Sequence, residues 1–190
     1  MRIITGTARG TKLVSLEGVA TRPTSERAKE AIFSSLAFDI ANKRVLDLFA
    51  GSGQLALEAL SRGANQAILV DNSAAAVDVI RKNIEKTHMN DRAVVLQHDC
   101  LTYLNRVGND TLFDLIFIDP PYAAHMVSDM LRIIVERGLA SDHAIFVCES
   151  EEADIFEGHE DLRAQFRVRR ISRYAKAVVT ILERNHDGES

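Results

Sequence analysis

An apolar run in residues 112–125 (LFDLIFIDPPYAAH) ends abruptly in an acid, two prolines and an aromatic ring. Asp119 offers a carboxylate and Pro120 a backbone carbonyl, two adjacent acceptors whose backbone the proline rings hold in place. Such a pair can grip both hydrogens of an exocyclic amine and turn its nitrogen toward an electrophile, a positioning effect that lowers reaction barriers. Tyr122 adds a ring on which a base can stack, a contact worth about 1–3 kcal/mol. We therefore predict a catalytic group formed by Asp119, Pro120, Pro121 and Tyr122.

A second stretch, VLDLFAGSGQLALEAL, places a tight glycine turn between a predicted strand and a predicted helix. Glycine at Gly51 and Gly53 lets the backbone pass close to a ligand and leaves helix amides pointing at it. The letters GSGQLA also fit the dinucleotide fingerprint, because Asp71 follows 20 residues after Gly51. The turn alone therefore leaves two cofactors open, S-adenosylmethionine and a nicotinamide dinucleotide.

The acids around this turn favour S-adenosylmethionine. Asp47 would repel a pyrophosphate but suits the cationic amino-acid end of S-adenosylmethionine, and 190 residues leave little room for the substrate domain of an oxidoreductase. Asp71 is expected to accept from ribose hydroxyls with either cofactor, and Asp99 from an adenine amino group. A helix N-cap or a solvated turn is the alternative role for each acid. The predicted cofactor-binding residues are Asp47, Ala50, Gly51, Ser52, Gly53, Asp71, Asn72, Asp99 and Cys100.

These residues need a scaffold, and residues 44–150 alternate β-rich apolar runs with helical stretches, which is typical of a parallel α/β sheet. Ser73 is placed to cap one of the helices. In such sheets ligands bind beyond the carboxyl ends of the strands, where most of the predicted strands carry an acid. The predicted strands are residues 44–50, 66–71, 93–99, 112–119 and 143–150.

The two ends of the chain differ from this middle. A turn near residues 6–10 predicts an N-terminal hairpin, and a helix should begin after Pro23 with Thr24 or Ser25 as its cap. The last basic stretch predicts two final strands that turn near residues 174–176. The expected organisation is a hairpin and helix extension over residues 1–38, a catalytic domain over 39–184 and a frayed tail over 185–190.

Charge is unevenly distributed along the chain, although the net charge is only −4. Residues 1–30 carry six basic groups against three acidic ones, and residues 162–182 carry six basic groups and no acid. Two basic ends around an acidic middle predict a phosphate-facing surface, because the local field matters more than the net charge. For Arg167 and Arg169 we prefer a charged edge strand that resists aggregation.

The hairpin and the helix that follows it supply the candidate RNA-binding residues. Arg9 and Lys12 are candidates because a short hairpin should have little core to serve. Arg22, Thr24 and Arg27 fit a role in RNA binding or active-site closure as well as they fit a capped helix with solvated charges.

Nothing in the sequence predicts a membrane protein. The first ten residues contain no signal-peptide core, and no run approaches the ~18 apolar residues of a membrane span. We expect a soluble, cytoplasmic protein. Cys100 and Cys148 form no disulfide framework and should be buried and unreactive. His98 and Cys100 flank Asp99, but without a second cluster of ligands no metal site is predicted.

Together, LDLFAGSG and DPPY resemble the class I amino-methyltransferases, which act on exocyclic nitrogens of nucleobases. TRPTSERAKEAIF and LEALSRGA are similar to the RsmD family of bacterial 16S rRNA guanine-N2 methyltransferases, over nearly the whole chain. The resemblance implies a Rossmann-like α/β fold with a mostly parallel, seven-stranded sheet and an N-terminal β-hairpin extension. It also implies S-adenosylmethionine as donor, a monomer, and N2 methylation of guanine 966 in 16S rRNA of the assembled small subunit. Gln54 departs from the small residue expected after the second glycine.

Three alternatives stay open at this point. The letters DPPY equally suit an adenine or cytosine amino-methyltransferase that acts on DNA, although no separate DNA-reading domain is evident. An NAD-dependent oxidoreductase is the alternative from another class, and binding of NAD in preference to S-adenosylhomocysteine would favour it. The third is a ribosome-assembly factor without turnover, against which the intact residues 119–122 argue.

Overall fold

The computed structural model describes residues 1–16, 26–108, 110–121, 126–151, 154–174 and 177–185. These residues form a seven-stranded sheet covered by helices on both faces. In chain order the elements are α1 Glu26–Ser35, β1 Arg44–Asp47, α2 Gln54–Ser61, β2 Gln66–Asp71, α3 Ala74–Thr87, β3 Ala93–Gln97, α4 Cys100–Arg106, β4 Phe113–Ile118, α5 Met126–Glu136, β5 Ala140–Ser150, α6 Glu160–Arg163, β6 Phe166–Tyr174 and β7 Ala177–Arg184.

The strand order is β3-β2-β1-β4-β5-β7-β6. Strands β1 to β5 pair in parallel, whereas β7 lies antiparallel between β5 and β6. The chain builds outward from β1 to β3 and then returns to place β4 on the other side of β1, so a topological switch point lies between β1 and β4. All the strands expected from the sequence are present, and the predicted α/β, mostly parallel, seven-stranded fold is confirmed.

Two apolar cores lie on the two faces of this sheet. One contains side chains of α1, α2 and α3, and the other contains side chains of α4, α5 and α6. Every residue of α2 is buried, which suits its sequence QLALEALS and sets it directly against the strands that carry the glycine turn. The sheet edge that carries the predicted site is therefore held by packing on both sides.

The predicted N-terminal hairpin is present as a short arm. The Ile3 amide donates to the Thr11 carbonyl at 3.0 Å, and the Gly10 amide donates to the Ile3 carbonyl at 2.8 Å. Ile3 is fully buried and Leu13 nearly so, both in the core beside α2. The expectation that the hairpin has little core to serve is therefore wrong, because Ile3 and Leu13 extend the core that contains α1, α2 and α3.

The arm approaches α2 so closely that only glycine fits at residue 6. Gly6 has a φ of +90°, and a Cβ there would lie 1.7 Å from the Ser61 carbonyl oxygen. Gly10 provides a matched control, because its φ is +83° but a Cβ would have no neighbour within 4 Å.

We expect Gly10→Ala to lower the free energy of unfolding by about 1–2 kcal/mol, the cost of a left-handed alanine. Gly6→Ala should cost about 1–3 kcal/mol more, because the arm must also move away from α2. Urea denaturation of the two variants measures this difference. Equal losses of stability would show that the arm does not need this contact.

Within the part of the chain that the structure covers, no helix has the length and apolar character needed to cross a bilayer. The helix predicted after Pro23 is present as α1, while Pro23 and its predicted caps Thr24 and Ser25 lie outside the described residues. The division of the chain at residue 38 stays a prediction, as do the frayed tail and the cytoplasmic location.

Candidate active site

Those predicted cofactor and catalytic residues that the structure describes lie at the carboxyl edge of the sheet. Asp47 ends β1 and is in register with Leu69 of β2 on one side and with Phe117 of β4 on the other. Asp119 comes two residues after Phe117, directly beyond the end of β4. The glycine turn and the DPP letters therefore follow two neighbouring strands at the switch point of the sheet.

The glycine turn after β1 is held by one backbone hydrogen bond to β2 and by one within the turn itself. The Ala50 amide donates to the Val70 carbonyl at 3.1 Å, and the Gly53 amide donates to the Ala50 carbonyl at 2.6 Å. Gly51 and Gly53 have φ values of +56° and +78°. A Cβ at Gly53 would lie 3.0 Å from a methyl group of Leu69, so this glycine also permits the turn to pass close to β2.

Asp71, the acid predicted to bind ribose, shapes this turn. One carboxylate oxygen accepts from the Gly51 amide at 2.9 Å, and the other accepts from the Ser73 amide at 2.9 Å. A carboxylate has about four acceptor sites, so Asp71 retains acceptor capacity for a ligand. Ser73 caps α3 as predicted, accepting from the Ala76 amide at 3.3 Å.

Two buried acceptors beside the turn have no hydrogen-bond partner among the described residues. They are Oδ1 of Asp47 and Oε1 of Gln54. Burial raises the pKa of Asp47 to about 7, the nearby charge of Asp71 acts in the same direction, and hydrogen bonds from the backbone of Ala56 and Phe49 oppose it. A cationic donor bound beside the turn would favour the charged form of Asp47 and would supply the hydrogen bonds that such acceptors lack. These residues therefore fit the ammonium end of S-adenosylmethionine.

The pKa of Asp47 predicts how cofactor affinity depends on pH. Because only the ionised carboxylate attracts an ammonium group, affinity for S-adenosylhomocysteine should rise by up to about tenfold per unit below about pH 7 and level off above it. Asp47→Asn should bind more weakly and lose this dependence. Calorimetric titrations of both proteins across this range provide the measurement, and identical pH profiles would contradict the assignment.

The stability of the unliganded protein should follow the opposite trend. The folded pKa of Asp47 is about 7 against 3.8 for an ordinary aspartate, so the folded state holds this proton more tightly than the unfolded chain. The stabilising contribution of Asp47 is therefore present below about pH 4 and lost as the pH rises through 7. Urea denaturation along the same pH series reports this loss, which Asp47→Asn should not show.

Three other cofactor candidates either have a contact that serves the fold or are exposed. Asp99 accepts from the Thr102 amide at 2.9 Å and so caps α4, the alternative role that its sequence position allowed. Cys100 is buried, and its thiol donates to the Leu48 carbonyl beneath the glycine turn. Burial raises the pKa of Cys100 to about 12, as expected for an unreactive thiol. Asn72 is exposed. Cofactor contacts of all three stay predictions.

Sequence reasoning missed Asn83, a fully buried residue of α3. Its Nδ2 donates to the Ser52 carbonyl at 2.9 Å and to the Val14 carbonyl at 3.0 Å, while its Oδ1 accepts from the Val14 amide at 2.7 Å. One amide thus joins the glycine turn to the N-terminal arm. The sequence feature that could have indicated this role is a polar residue three positions after Ile80, on the apolar face of a predicted helix.

A buried charged cluster was also missed. Glu58 of α2 accepts from the amides of Ile4 and Thr5 at 2.8 and 3.0 Å. Its carboxylate lies 3.6 Å from Nζ of Lys29 and 2.8 Å from Nε of Arg62, and both Glu58 and Lys29 are fully buried. The sequence feature that could have indicated this cluster is an acid in the middle of an apolar helix. The cluster ties the arm and α1 to the element that follows the cofactor turn.

The structure covers part of the predicted catalytic and RNA-binding sets. Asp119 and Pro120 are partly buried and Pro121 is exposed, whereas Tyr122 lies outside the described residues. The exposed RNA-binding candidates are Arg9, Lys12 and Arg27, and those outside the described residues are Arg22 and Thr24.

Two further predictions concern the edge strand and metal binding. β6 is an edge strand, as predicted, and Arg167 pairs there with Glu183. The described residues contain no group of side chains suited to hold a metal ion.

A family described as "Conserved hypothetical protein 95" matches residues 1–183. Ribosomal RNA small subunit methyltransferase D of Escherichia coli K12 is 32% identical over 190 residues, covering all of this chain and 93% of that protein. The Haemophilus influenzae protein of the same name is 32% identical over 153 residues, 80% of this chain and 79% of its own length. The solved structure of the Escherichia coli protein yhhF is similar with a TM-score of 0.85 and 30% identity, over 97% of both chains.

A sheet of this order with a glycine turn after its first strand is the fold of the class I, S-adenosylmethionine-dependent methyltransferases. The family match extends over almost the whole length, and the chain belongs to that family, the RsmD family. The predictions of the family and of S-adenosylmethionine as cofactor are thereby confirmed, and the nicotinamide alternative is not supported.

Proposed function

We propose that this protein transfers a methyl group from S-adenosylmethionine to the exocyclic N2 of one guanine, guanine 966, in 16S rRNA of the small ribosomal subunit. The coarser activity, methylation of ribosomal RNA, is supported by the relatives from Escherichia coli and Haemophilus influenzae that carry this activity in their names. The choice of guanine N2 rests on the family resemblance of the sequence motifs.

The observation that carries the proposal is the position of Asp119. It follows β4 directly, and β4 pairs with β1, whose end bears Asp47 and the glycine turn. Ligands of open α/β sheets bind in the crevice at such a switch point. The groups suited to grip an amine therefore lie beside the groups suited to hold the methyl donor.

Different residues of the chain are assigned to the cofactor and to the guanine. When bound, S-adenosylmethionine supplies a methyl group on a positively charged sulfur. Asp47 and Gln54 present buried acceptors to its amino end, and Asp71 offers its remaining acceptor sites to the ribose. The apolar residues beneath the turn keep water from reaching it on the side of the sheet.

Guanine N2 is a poor nucleophile, because its lone pair is delocalised into the ring. We assign the Asp119 carboxylate and the Pro120 carbonyl to its two hydrogens, so that nitrogen density faces the methyl group. One N–C bond forms as the S–C bond breaks, and the nitrogen then loses one proton, which Asp119 is assigned to accept. We assign Tyr122 to stack on the base. The products are N2-methylguanine, S-adenosylhomocysteine and a proton.

Transfer of radiolabelled methyl groups from S-adenosylmethionine to purified small subunits tests the proposal. Subunits from a strain that lacks this protein should accept a single methyl group each. Subunits from the parent strain are the matched control and should accept almost none, because their site is already modified. Failure to label the unmodified subunits would overturn the proposal.

The DNA alternative is decided in the same assay. Unmethylated DNA should remain unlabelled when small subunits are labelled under identical conditions. Transfer to adenine or cytosine of DNA, with subunits unlabelled, would instead establish the protein as a DNA amino-methyltransferase.

A further inference from the structure

Phe38 lies in the turn between α1 and β1, and its side chain is fully exposed, at 101%. Its neighbours Leu36 and Ile40 are buried in the core. A single exposed apolar side chain needs no explanation by itself, because such residues are common on protein surfaces. The significance of Phe38 therefore depends on which groups surround it.

Two exposed arginines of β6 reach the segment that contains Phe38. Arg169 Nη2 donates to Oδ2 of Asp39 at 3.0 Å, and Arg170 Nη1 donates to Oγ of Ser35 at 2.8 Å. These two anchors lie on either side of Phe38 in the sequence. Phe38 therefore belongs to a short segment that two guanidinium groups contact on either side of it in the sequence.

A β-bulge brings both arginines to the same face. β6 pairs with β7 through Val168 opposite Leu182 and Arg170 opposite Ile181, so Arg169 is the extra residue. In a regular strand, neighbouring side chains point to opposite faces, and a bulge redirects one of them. Here the bulge places two consecutive guanidinium groups on the face that carries α1.

Among the residues that the structure describes, the hydrogen-bond partners of Arg170 include no carboxylate. Arg170 donates to the hydroxyl groups of Ser35 and Ser172. Arg169 pairs with Asp39, but a guanidinium has five N–H donors and keeps several for another partner. The surface of Phe38, Arg169 and Arg170, named here the α1–β6 patch, thus combines an unpaired aromatic face with fixed positive charge.

We propose that the α1–β6 patch binds an unstacked nucleobase of the rRNA substrate on Phe38 and its neighbouring phosphate on Arg170. The inference rests on the proposed function, because it assigns a second contact to the same substrate. Base stacking on aromatic rings beside a basic groove is a common way to bind single-stranded RNA. A protein partner would require a contiguous apolar centre. Among the described residues, Phe38 has the buried Leu36 and Ile40 near it in sequence, and the exposed apolar residues of β6, Val168 and Ile171, are separated from each other by the two arginines.

The test measures binding of the full-length protein to protein-free 16S rRNA and to intact small subunits, both from a strain that lacks this protein. Phe38→Ala should weaken binding to both by about fivefold or more, whereas Phe38→Trp should retain it. Val94→Ala is the matched control, because Val94 is 53% exposed on β3 at the opposite edge of the sheet. Arg170→Gln should reduce the slope of log affinity against log salt by about 0.7.

Affinity for S-adenosylhomocysteine serves as the check on folding and should be the same in all variants. The proposal would be overturned if the affinity of Phe38→Ala for protein-free 16S rRNA were within about twofold of that of the wild-type protein. A loss confined to intact subunits would also overturn it, because a ribosomal protein would then be the partner. If the wild-type protein did not methylate small subunits, the proposed function would be overturned, but the result on RNA binding would still hold.

Discussion

Replacing Asp119 by alanine is expected to lower kcat for methyl transfer to small subunits by about 100-fold or more. The variant loses one of the two acceptors assigned to the guanine amine, so the nitrogen is no longer held with its lone pair toward the methyl group. Asp119 is not assigned to the cofactor, and affinity for S-adenosylhomocysteine should therefore change little. Steady-state kinetics with saturating cofactor and small subunits measure the expected effect.

The matched control is Asp114→Asn, which alters an acid at the opposite end of the same strand. Asp114 accepts from the Arg44 amide at 2.8 Å and from the Ser141 hydroxyl at 2.8 Å, and so serves the fold rather than the site. This variant should lose stability but retain kcat. If Asp119→Ala kept kcat close to that of Asp114→Asn, the catalytic role of Asp119 would be wrong.

The second large effect is expected on stability, from Glu58→Gln. This change leaves Lys29 as a fully buried charge without its carboxylate partner, and removal of one member of a buried ion pair typically costs about 3–5 kcal/mol. Burial already lowers the pKa of Lys29 although Glu58 opposes that shift, so the desolvation of Lys29 is only partly compensated. Glu58 also accepts from the amides of Ile4 and Thr5, and the arm should loosen with it.

A double-mutant cycle separates the charge from the hydrogen bonds to the arm. Lys29→Met combined with Glu58→Gln should recover a large part of the loss, because Lys29 then no longer remains as an unpaired buried charge. Asp78→Asn is the surface control, since Asp78 and Arg81 are 67% and 61% exposed and their pair should contribute less than about 0.5 kcal/mol. Equal losses in the Glu58 and Asp78 variants would contradict the role assigned to the cluster.

The sequence predicted the fold well because its signals are local. The apolar runs that became β1 to β5, and the serine that caps α3, are recognisable within a few residues of the chain. The glycine turn and the acids at the strand ends were predicted together because parallel strands bring their carboxyl ends to one edge. The fold thus placed Asp47, Asp71 and Asp119 along one edge, as expected.

What the sequence did not predict depends on contacts between distant segments. Glu58 and Ile4 are 54 residues apart, and Asn83 joins segments 69 and 31 residues away from it. No periodicity encodes such pairs. The bulge at Arg169 was missed for a similar reason, because only the pairing of β6 with β7 reveals the extra residue.

Nucleoside analysis of 16S rRNA methylated by this protein tests the central claim most directly. Small subunits from a strain that lacks the protein are incubated with it and S-adenosylmethionine, and their rRNA is then digested and examined by mass spectrometry. We predict that N2-methylguanosine increases and that the modified nucleotide maps to guanine 966. A methyl group on an adenosine or cytidine, or no new modified nucleoside, would contradict the account.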